Sequence, residues 1–196
     1  MPGHNGPPAS DPRERMTSEE LGRLYPIFLV SYDERWPELF IKEKARLSTA
    51  FTEDLRIEHI GSTAVPGLEA KPTIDILFEQ PAGRSAEEII AVLQEYEYYY
   101  LTDHRDHLMF IRGYGLTGLE KESYHIHMAP FSREDLWDRV YFRDWLRRER
   151  GEAAAYEQLK RRLAARFPHD REAYTKGKAE YVEAVTKKAK AALAGG

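Results

Sequence analysis

The sequence has no cysteine among its 196 residues, which excludes disulfide bonds, thiolate nucleophiles and cysteine-ligated zinc. It also has no run of about 18 to 20 apolar residues, the length that a transmembrane helix requires. Positive charge is not in excess, since the formal net charge is −4 and the pI is about 6.0. These deficits argue against a membrane partner and against bulk binding to nucleic acid, which requires clustered positive charge.

The composition is that of a globular chain, with 42% hydrophobic and 32% charged residues. Residues 1–16 are rich in proline and glycine and lack the apolar segment of a secretory signal. We expect a disordered extension over residues 1–16, one folded domain over residues 17–196, and a cytoplasmic location. The sequence does not indicate the oligomeric state.

Helix-start signals lie in the first half of the chain. Residues 17–20 and 85–88 are capping boxes, in which a hydroxyl side chain is followed three positions later by glutamate. They predict one helix to about position 25 and another to about position 97. Asp33 is expected to cap a further helix over residues 34–50, with Pro37 in its first turn, where a missing N–H costs little.

Short apolar runs, several of them rich in branched and aromatic residues, predict strands. The predicted strands are residues 27–31, 55–60, 73–79, 98–102, 107–113 and 123–129. The short spacings between the last three predict antiparallel neighbours.

Beyond residue 132 the pattern is helical. Ser132 is expected to cap a helix to about residue 150, Gly151 to break it, and Pro168 to separate the second helix from a third over residues 170–193. Strands followed by helices predict an α+β fold. We expect a mixed sheet up to about residue 131 and a helical part over residues 132–196.

The most informative stretch is HIGSTAVPGLEAKPTIDILFE, residues 59–79. Gly61 allows backbone angles that other residues avoid and lets a ligand approach the main chain. Ser62 and Thr63 add hydroxyl groups, and a turn with exposed N–H groups can hold phosphate oxygens. The alternative is an ordinary tight turn whose hydroxyls bond the backbone.

Asp75 lies in the middle of a strand that is otherwise apolar. Side chains alternate along a strand, so Asp75 shares a face with Leu77 and Glu79. A buried carboxylate is costly unless it is paired or bound to a metal. Lys71 is available either as its ion-pair partner or as a phosphate ligand.

A two-metal site needs a second acid on the same strand face, usually two residues after the first. Here that position is Leu77. Glu79 is roughly 13 Å from Asp75 at the usual strand rise, too far to share a metal. The local acid pair is therefore missing.

The segment YHIHM provides other ligands. His125 and His127 share one strand face about 7 Å apart along the backbone, and two imidazoles so placed can bind a metal or act as acid and base. The alternative is two half-buried histidines bonded to their neighbours. Glu58 and His59 point to opposite faces of their strand, so only one can join the site. His104 and His107 flank a turn and are expected at the surface.

Three helical residues are candidate phosphate ligands. Arg143 lies beside aromatic residues in YFRDWL, and Tyr174 and Lys178 are four positions apart in YTKGK. The alternative for all three is a solvated face or an ion pair between helical neighbours.

The segments YDERWPELF, RIEHIGSTAVPGLEAKPTIDILFE, YHIHM, FRDWL and AYTKGK together resemble the GrpB family, over about residues 20–185. The resemblance implies a nucleotidyltransferase-like fold with a mixed sheet and flanking helices. It implies that Gly61 and Ser62 match the phosphate-binding motif and that Asp75 matches the first metal-binding acid, whereas Leu77 departs from the second.

Three functions follow as hypotheses. The first is a metal-dependent nucleotidyltransferase-like enzyme that uses Mg²⁺, Mn²⁺ or Zn²⁺ and a nucleoside triphosphate. In it Asp75, His125 and His127 are the catalytic and metal-binding residues, and Glu58 is a further candidate ligand. The second is a non-catalytic protein that binds a nucleotide or phosphorylated metabolite. The third is a metal-dependent hydrolase with its metal at the two histidines.

Overall fold

The computed structural model describes residues 16–101 and 107–194, so residues 1–15 of the expected N-terminal extension lie outside the described residues. Its strands are β1 (Ile57–Ile60), β2 (Ile74–Glu79), β3 (Tyr99–Tyr100), β4 (Leu108–Gly115) and β5 (Gly118–Ala129). They form one sheet in the order β1-β2-β5-β4-β3. Only β2 and β5 pair in parallel. The predicted α+β fold with a mixed sheet is confirmed.

The described helices are α1 (Ser18–Leu24), α2 (Trp36–Leu47), α3 (Ala86–Glu95), α4 (Glu134–Arg148), α5 (Arg150–Arg166) and α6 (Arg171–Ala194), with a 3₁₀ turn at Ser62–Ala64. Both predicted capping boxes are present, at Thr17 and Ser85. None of the helices in the described part of the chain is apolar over enough residues to cross a membrane.

One face of the sheet carries the largest apolar cluster. Ile76, Phe78 and Ile126 from the central strands pack there with Leu47 of α2 and Leu93 of α3. Ile74, Ile76 and Phe78, which alternate with Asp75 and Leu77 along β2, are all buried on this face.

The opposite face carries the candidate site residues and is covered by the C-terminal helices. Leu77 is fully buried there with Leu136 and Trp137 of α4. A second apolar cluster joins α4, α5 and α6 to the loop that follows β1, through Val65 and Leu68. The helices thus close over the loop that leads from β1 into β2.

Four local predictions were wrong. Residues 27–31 form no strand, because Val30 makes a single bridge to Ala70 and the amide of Ile27 bonds the Pro168 carbonyl instead. Asp33 does not cap α2, since its carboxylate accepts hydrogen bonds from Arg35 and the helix begins at Trp36.

The other two errors concern the C-terminal helices. Ser132 is not the cap of α4, whose N-terminal cap is Arg133. Gly151 does not break the helix, because the non-helical residue is Glu149 with φ −102° and ψ 88°, and Gly151 lies inside α5.

Candidate metal and phosphate site

Strand pairing brings the three central candidates together. In the parallel β2–β5 pair Asp75 lies opposite His125, and Leu77 lies opposite His127. Paired residues share a face of the sheet, so both imidazoles lie on the Asp75 side. His125 Nδ1 is 3.1 Å and His127 Nε2 is 4.0 Å from Asp75 Oδ1.

A neighbouring group holds the far nitrogen of each imidazole. Tyr114 Oη lies 2.6 Å from His125 Nε2, and His107 Nε2 lies 2.9 Å from His127 Nδ1. Each ring therefore presents its other nitrogen to Asp75. Outer partners of this kind fix ring orientation at metal sites.

A β-bulge brings Tyr114 to the site. Strict alternation would place Tyr114 on the same face as Arg112, which points to the opposite side of the sheet and pairs with Glu43. The register shifts between these two residues at Gly113, whose φ is 78° and whose added Cβ would lie 2.0 Å from the Glu122 carbonyl oxygen. Only glycine fits this bulge, which turns Tyr114 towards His125.

Gly61 is in direct contact with the Asp75 carboxylate. Its φ is 73°, and a Cβ added there would lie 2.4 Å from Asp75 Oδ2. Glycine is therefore required both by its backbone angle and by the space that the carboxylate occupies. The Gly–Ser turn and the strand aspartate belong to one site.

The pKa values follow from burial and from these contacts. Burial raises the pKa of Asp75, but the His125 hydrogen bond, the charges that His125 and His127 carry when protonated at low pH, and the charge of Lys71 outweigh it and hold the pKa below its ordinary value. Burial lowers the pKa of both histidines, and Arg139 lowers that of His127 further. Asp75 is thus ionised and both imidazoles are neutral at pH 7, the states in which these side chains bind metals.

The cluster fits one divalent ion. One donor atom from each of Asp75, His125 and His127 lies within 4.8 Å of the other two. Metal–ligand bonds of about 2.0–2.2 Å place the donors of one ion roughly 3–3.5 Å apart, so a small closure of the observed spacings suffices. Glu58 lies on the same face of the sheet but is not part of this group.

Cations without carboxylate partners surround the cluster. Lys71 Nζ and Lys178 Nζ lie 5.7 and 4.3 Å from the ring centroid of Tyr174, which is buried at 1% exposure. Arg139 of α4 also lies near Asp75. Burial lowers the pKa of Arg139, and the charge of the Asp75 carboxylate opposes this shift. Within residues 16–101 and 107–194, none of these three cations forms an ion pair or a side-chain hydrogen bond.

The two lysines are poised to gain or lose a proton near neutral pH. Burial, together with the charges of Arg171 and Lys178, lowers the pKa of Lys71 to about 7. Burial also lowers the pKa of Lys178 to about 8, with Asp75 opposing and Arg139 adding to the shift. Burial is the main cause of both shifts, the neighbouring cations add to it, and the charge of Asp75 opposes it only in part.

The remaining predicted ligands lie elsewhere or are already engaged. Arg143 donates to Glu58 Oε2 and to the His59 carbonyl, both at 2.8 Å, and so joins α4 to the edge strand β1. The Thr63 hydroxyl is buried between His59 and the Thr73 carbonyl. The Ser62 side chain forms a hydrogen bond with the Tyr156 hydroxyl. This bond lowers the pKa of Tyr156 and so opposes the rise that burial causes.

Sequence reasoning missed two contributors and misplaced a third. Tyr114 was hidden by its bulge, although the glycines on either side of it are a signal for one. Arg139 reaches the site only because α4 packs on the sheet, and no local pattern marks it. His107, predicted at the surface, bonds His127 in the site, whereas His104 lies outside the described residues.

Comparison with known proteins identifies the family. The family model described as GrpB protein matches residues 26–188. The chain therefore belongs to the GrpB family, and the predicted family is confirmed.

Several relatives agree with this assignment. UPF0157 protein PA4798 of Pseudomonas aeruginosa is 39% identical over 82% of this chain and 66% of that protein. UPF0157 protein YqkA of Bacillus subtilis is 34% identical over 85% of this chain and 49% of that protein. The chain thus spans only about half to two thirds of the length of these two curated relatives. Glutamate-rich protein GrpB of Alkalihalophilus pseudofirmus is 34% identical, over 81% of this chain and 93% of that protein.

Solved structures place the fold in the same family. Conserved protein GrpB from Enterococcus faecalis matches with a TM-score of 0.67 and 27% identity, over 83% of this chain and 96% of that chain. A Cid1 poly(U) polymerase structure matches with a TM-score of 0.44 and 13% identity, over 69% of this chain and 44% of that one. This weaker likeness carries no argument by itself.

Proposed function

We propose that this protein binds a phosphorylated small molecule, in the first instance a nucleoside triphosphate, together with a divalent cation at Asp75. We propose further that it is a nucleotidyltransferase-like enzyme. The observation that carries the proposal is the juxtaposition of an ionised carboxylate and two neutral imidazoles with three cations that have no carboxylate partner. Positive groups held together without counter-charge are unfavourable unless an anion joins them.

The charge arrangement supports a ligand that carries several negative charges. Lys71 and Lys178 lie over one aromatic ring, and Arg139 lies within reach of both Lys178 and Asp75. A phosphate group placed among them would accept charge-assisted hydrogen bonds from each, and these are about twice as strong as neutral ones. Binding would also raise the pKa of both lysines and keep them protonated.

Different residues of the chain would bind the phosphates and position them in nucleotidyl transfer. Gly61 lets the phosphates approach the backbone beside Asp75, since a side chain there would meet the carboxylate. Lys71, Arg139 and Lys178 would balance the charge of the phosphates and hold them for in-line attack. A divalent cation at Asp75 would supply Lewis-acid polarisation of a phosphate oxygen. The oxygen of an acceptor hydroxyl would bond the α-phosphorus while the bond to pyrophosphate breaks, and the hydroxyl proton would pass to solvent.

The test is incubation with ATP, GTP, CTP and UTP in turn, each with Mg²⁺ or Mn²⁺, followed by thermal melting and by detection of released pyrophosphate. We expect a rise in melting temperature with at least one nucleotide, and the rise should be lost in Asp75→Asn. If no nucleotide shifts the melting temperature and Asp75→Asn changes only stability, the proposal fails.

A second candidate is favoured by one observation. Leu77 occupies the place of the second acid and is fully buried against α4, so the carboxylate pair of two-metal transfer is absent from β2. A protein that binds the nucleotide or phosphorylated metabolite without turnover would need only the cations. A nucleotide-dependent melting shift that persists in EDTA, without pyrophosphate release, would select this candidate.

A further inference from the structure

We propose that the Asp75 cluster holds a single first-row transition ion, of the class of Zn²⁺ or Co²⁺, and not a pair of Mg²⁺ ions. This inference rests on the site of the proposed function and names its metal. It follows from the donor set, from the fate of the neighbouring carboxylates and from the groups that orient the imidazoles.

The donor set is the first argument. Two imidazole nitrogens and one carboxylate oxygen lie within 4.8 Å of one another. Imidazole suits Zn²⁺ and other transition ions, whereas Mg²⁺ prefers carboxylate, carbonyl and water oxygens. With one protein oxygen in the cluster, Mg²⁺ would have to take nearly all its ligands from water or substrate.

No other carboxylate among the described residues joins Asp75 in the cluster. Glu58 accepts from Arg143 at 2.8 Å and from Arg56 at 3.0 Å. Glu79 accepts from the Arg56 amide at the far end of β2. Leu77, which lies opposite Glu58 and between Asp75 and Glu79 on β2, is buried and apolar. A bridging acid pair that could hold two ions is therefore absent from this part of the chain.

Neighbouring side chains hold both imidazoles in position through their outer nitrogens. Tyr114 Oη lies 2.6 Å from the outer nitrogen of His125, and it is held in turn near Thr73 Oγ1 and Arg171 Nη2 at 3.5 and 3.4 Å. His107 holds the outer nitrogen of His127 at 2.9 Å. The ring nitrogens that face Asp75 are thus fixed in place before any ion arrives. The bulge at Gly113 turns Tyr114 towards His125 and so provides this hydrogen-bond partner.

The test uses Co²⁺ as a spectroscopic probe, added to full-length protein prepared without a histidine tag and stripped with EDTA. We expect visible d–d bands that saturate at one equivalent. Equimolar Zn²⁺ should displace Co²⁺, and a thousandfold excess of Mg²⁺ should not. Saturation at two equivalents, displacement by Mg²⁺ at that excess, or no visible bands would overturn the inference.

Variants assign the bands to residues. His127→Asn and His125→Asn should abolish them, and circular dichroism would verify that each variant is folded. Tyr114→Phe keeps the ring and should weaken Co²⁺ affinity about tenfold, the usual effect of removing an outer partner. Glu58→Gln should leave the bands unchanged. Loss of the bands in Glu58→Gln, or their retention in a folded His127→Asn protein, would overturn the assignment.

The outcome is separable from that of the proposed function. Binding of ATP with Mg²⁺ but no Co²⁺ bands would remove this inference and leave the proposed function standing. Co²⁺ bands without binding of any nucleoside triphosphate would support this metal site and remove the proposed function.

Discussion

Two groups of charges lie on opposite faces of the same sheet, one around a buried glutamate and one around a partly exposed aspartate, and they are organised differently. On the α2 face, Glu43 is 3% exposed and pairs with Arg46 at 3.0 Å and Arg112 at 2.5 Å, while Tyr98 donates to it at 3.0 Å. On the other face, Asp75 contacts two neutral histidines, and the nearby cations have no carboxylate partner among the described residues.

The difference separates a structural cluster from a ligand site. In the Glu43 cluster the negative charge is balanced by side chains of the fold, so no further partner is needed. In the Asp75 cluster, three cations lie near one aspartate, whose single charge compensates them only in part. A partly buried group of this second kind is more stable with an anionic ligand than without one.

The largest expected effect comes from breaking the Glu43 cluster. Glu43→Ala leaves the partly buried Arg112 without its counter-charge and the buried Tyr98 hydroxyl without its acceptor, and we expect a loss of about 3 kcal/mol in the free energy of unfolding. Urea denaturation measures it. The double variant Glu43→Leu with Arg112→Leu should recover most of the loss, because it removes Glu43 and Arg112 together, and the remaining Arg46 is 32% exposed to water. A loss below about 1 kcal/mol in Glu43→Ala would show that the cluster behaves like an exposed ion pair.

The opposite result is expected in the Asp75 cluster. Arg139→Met and Lys178→Met each remove a cation that forms no ion pair with a carboxylate among the described residues, so stability should stay the same or rise. Nucleotide affinity should fall roughly tenfold to a hundredfold, the equivalent of one or two charge-assisted hydrogen bonds. Urea denaturation and calorimetric titration measure the two quantities.

A matched control for these variants lies on the same helix. Lys187 of α6 is 75% exposed and pairs with Glu183, so Lys187→Met should change neither quantity by much. If Lys178→Met destabilises the protein as strongly as Glu43→Ala and leaves nucleotide affinity intact, the distinction between the two clusters is lost.

A smaller effect is expected from Gly61→Ala. The new Cβ would collide with the Asp75 carboxylate, and the positive φ is unfavourable for alanine. We expect a loss of about 1 kcal/mol in stability, together with weaker metal binding, because the carboxylate must move. Gly67→Ala is the comparison, since Gly67 also has a positive φ of 80° but open space around it. Equal loss of metal affinity in both variants would contradict the close contact.

The smallest effect is a dependence on pH. The pKa of Lys71 is lowered to about 7 and that of Lys178 to about 8, so both cations lose their protons as pH rises from 6 to 9. Nucleotide affinity should fall over that range. Without ligand the sign is opposite: unfolded lysines bind more protons than folded ones, so these two residues make stability rise with pH above about 7. The same pH dependence of affinity in Lys71→Met with Lys178→Met would rule out the lysines as its source.

Local patterns were sufficient for much of the fold and for the centre of the site. Capping boxes located α1 and α3, and alternation along β2 separated Asp75 from the core residues around it. The i, i+2 spacing of His125 and His127 placed both on one face, which the structure shows directed at Asp75.

The rest depends on contacts between residues far apart in sequence. The parallel register that sets His125 beside Asp75 is fixed by packing across 50 residues and has no local signal. Arg139 reaches Asp75 because α4 docks on the sheet, and Glu58 is occupied because the same helix brings Arg143 to β1. Residue type and spacing identified several of the residues that lie close together at the site. Only the tertiary structure shows which of the charged candidates form ion pairs.

The central claim is that the Asp75 cluster and the cations around it bind a metal and a polyphosphate. The most direct measurement is isothermal titration of nucleoside triphosphates with Mn²⁺ into the wild-type protein, Asp75→Asn, and the double variant Lys71→Met with Lys178→Met. The account predicts saturable binding at one site for at least one nucleotide, lost or severely weakened in both variants. Absence of binding by all four nucleotides, or equal binding by the wild type and both variants, would contradict it.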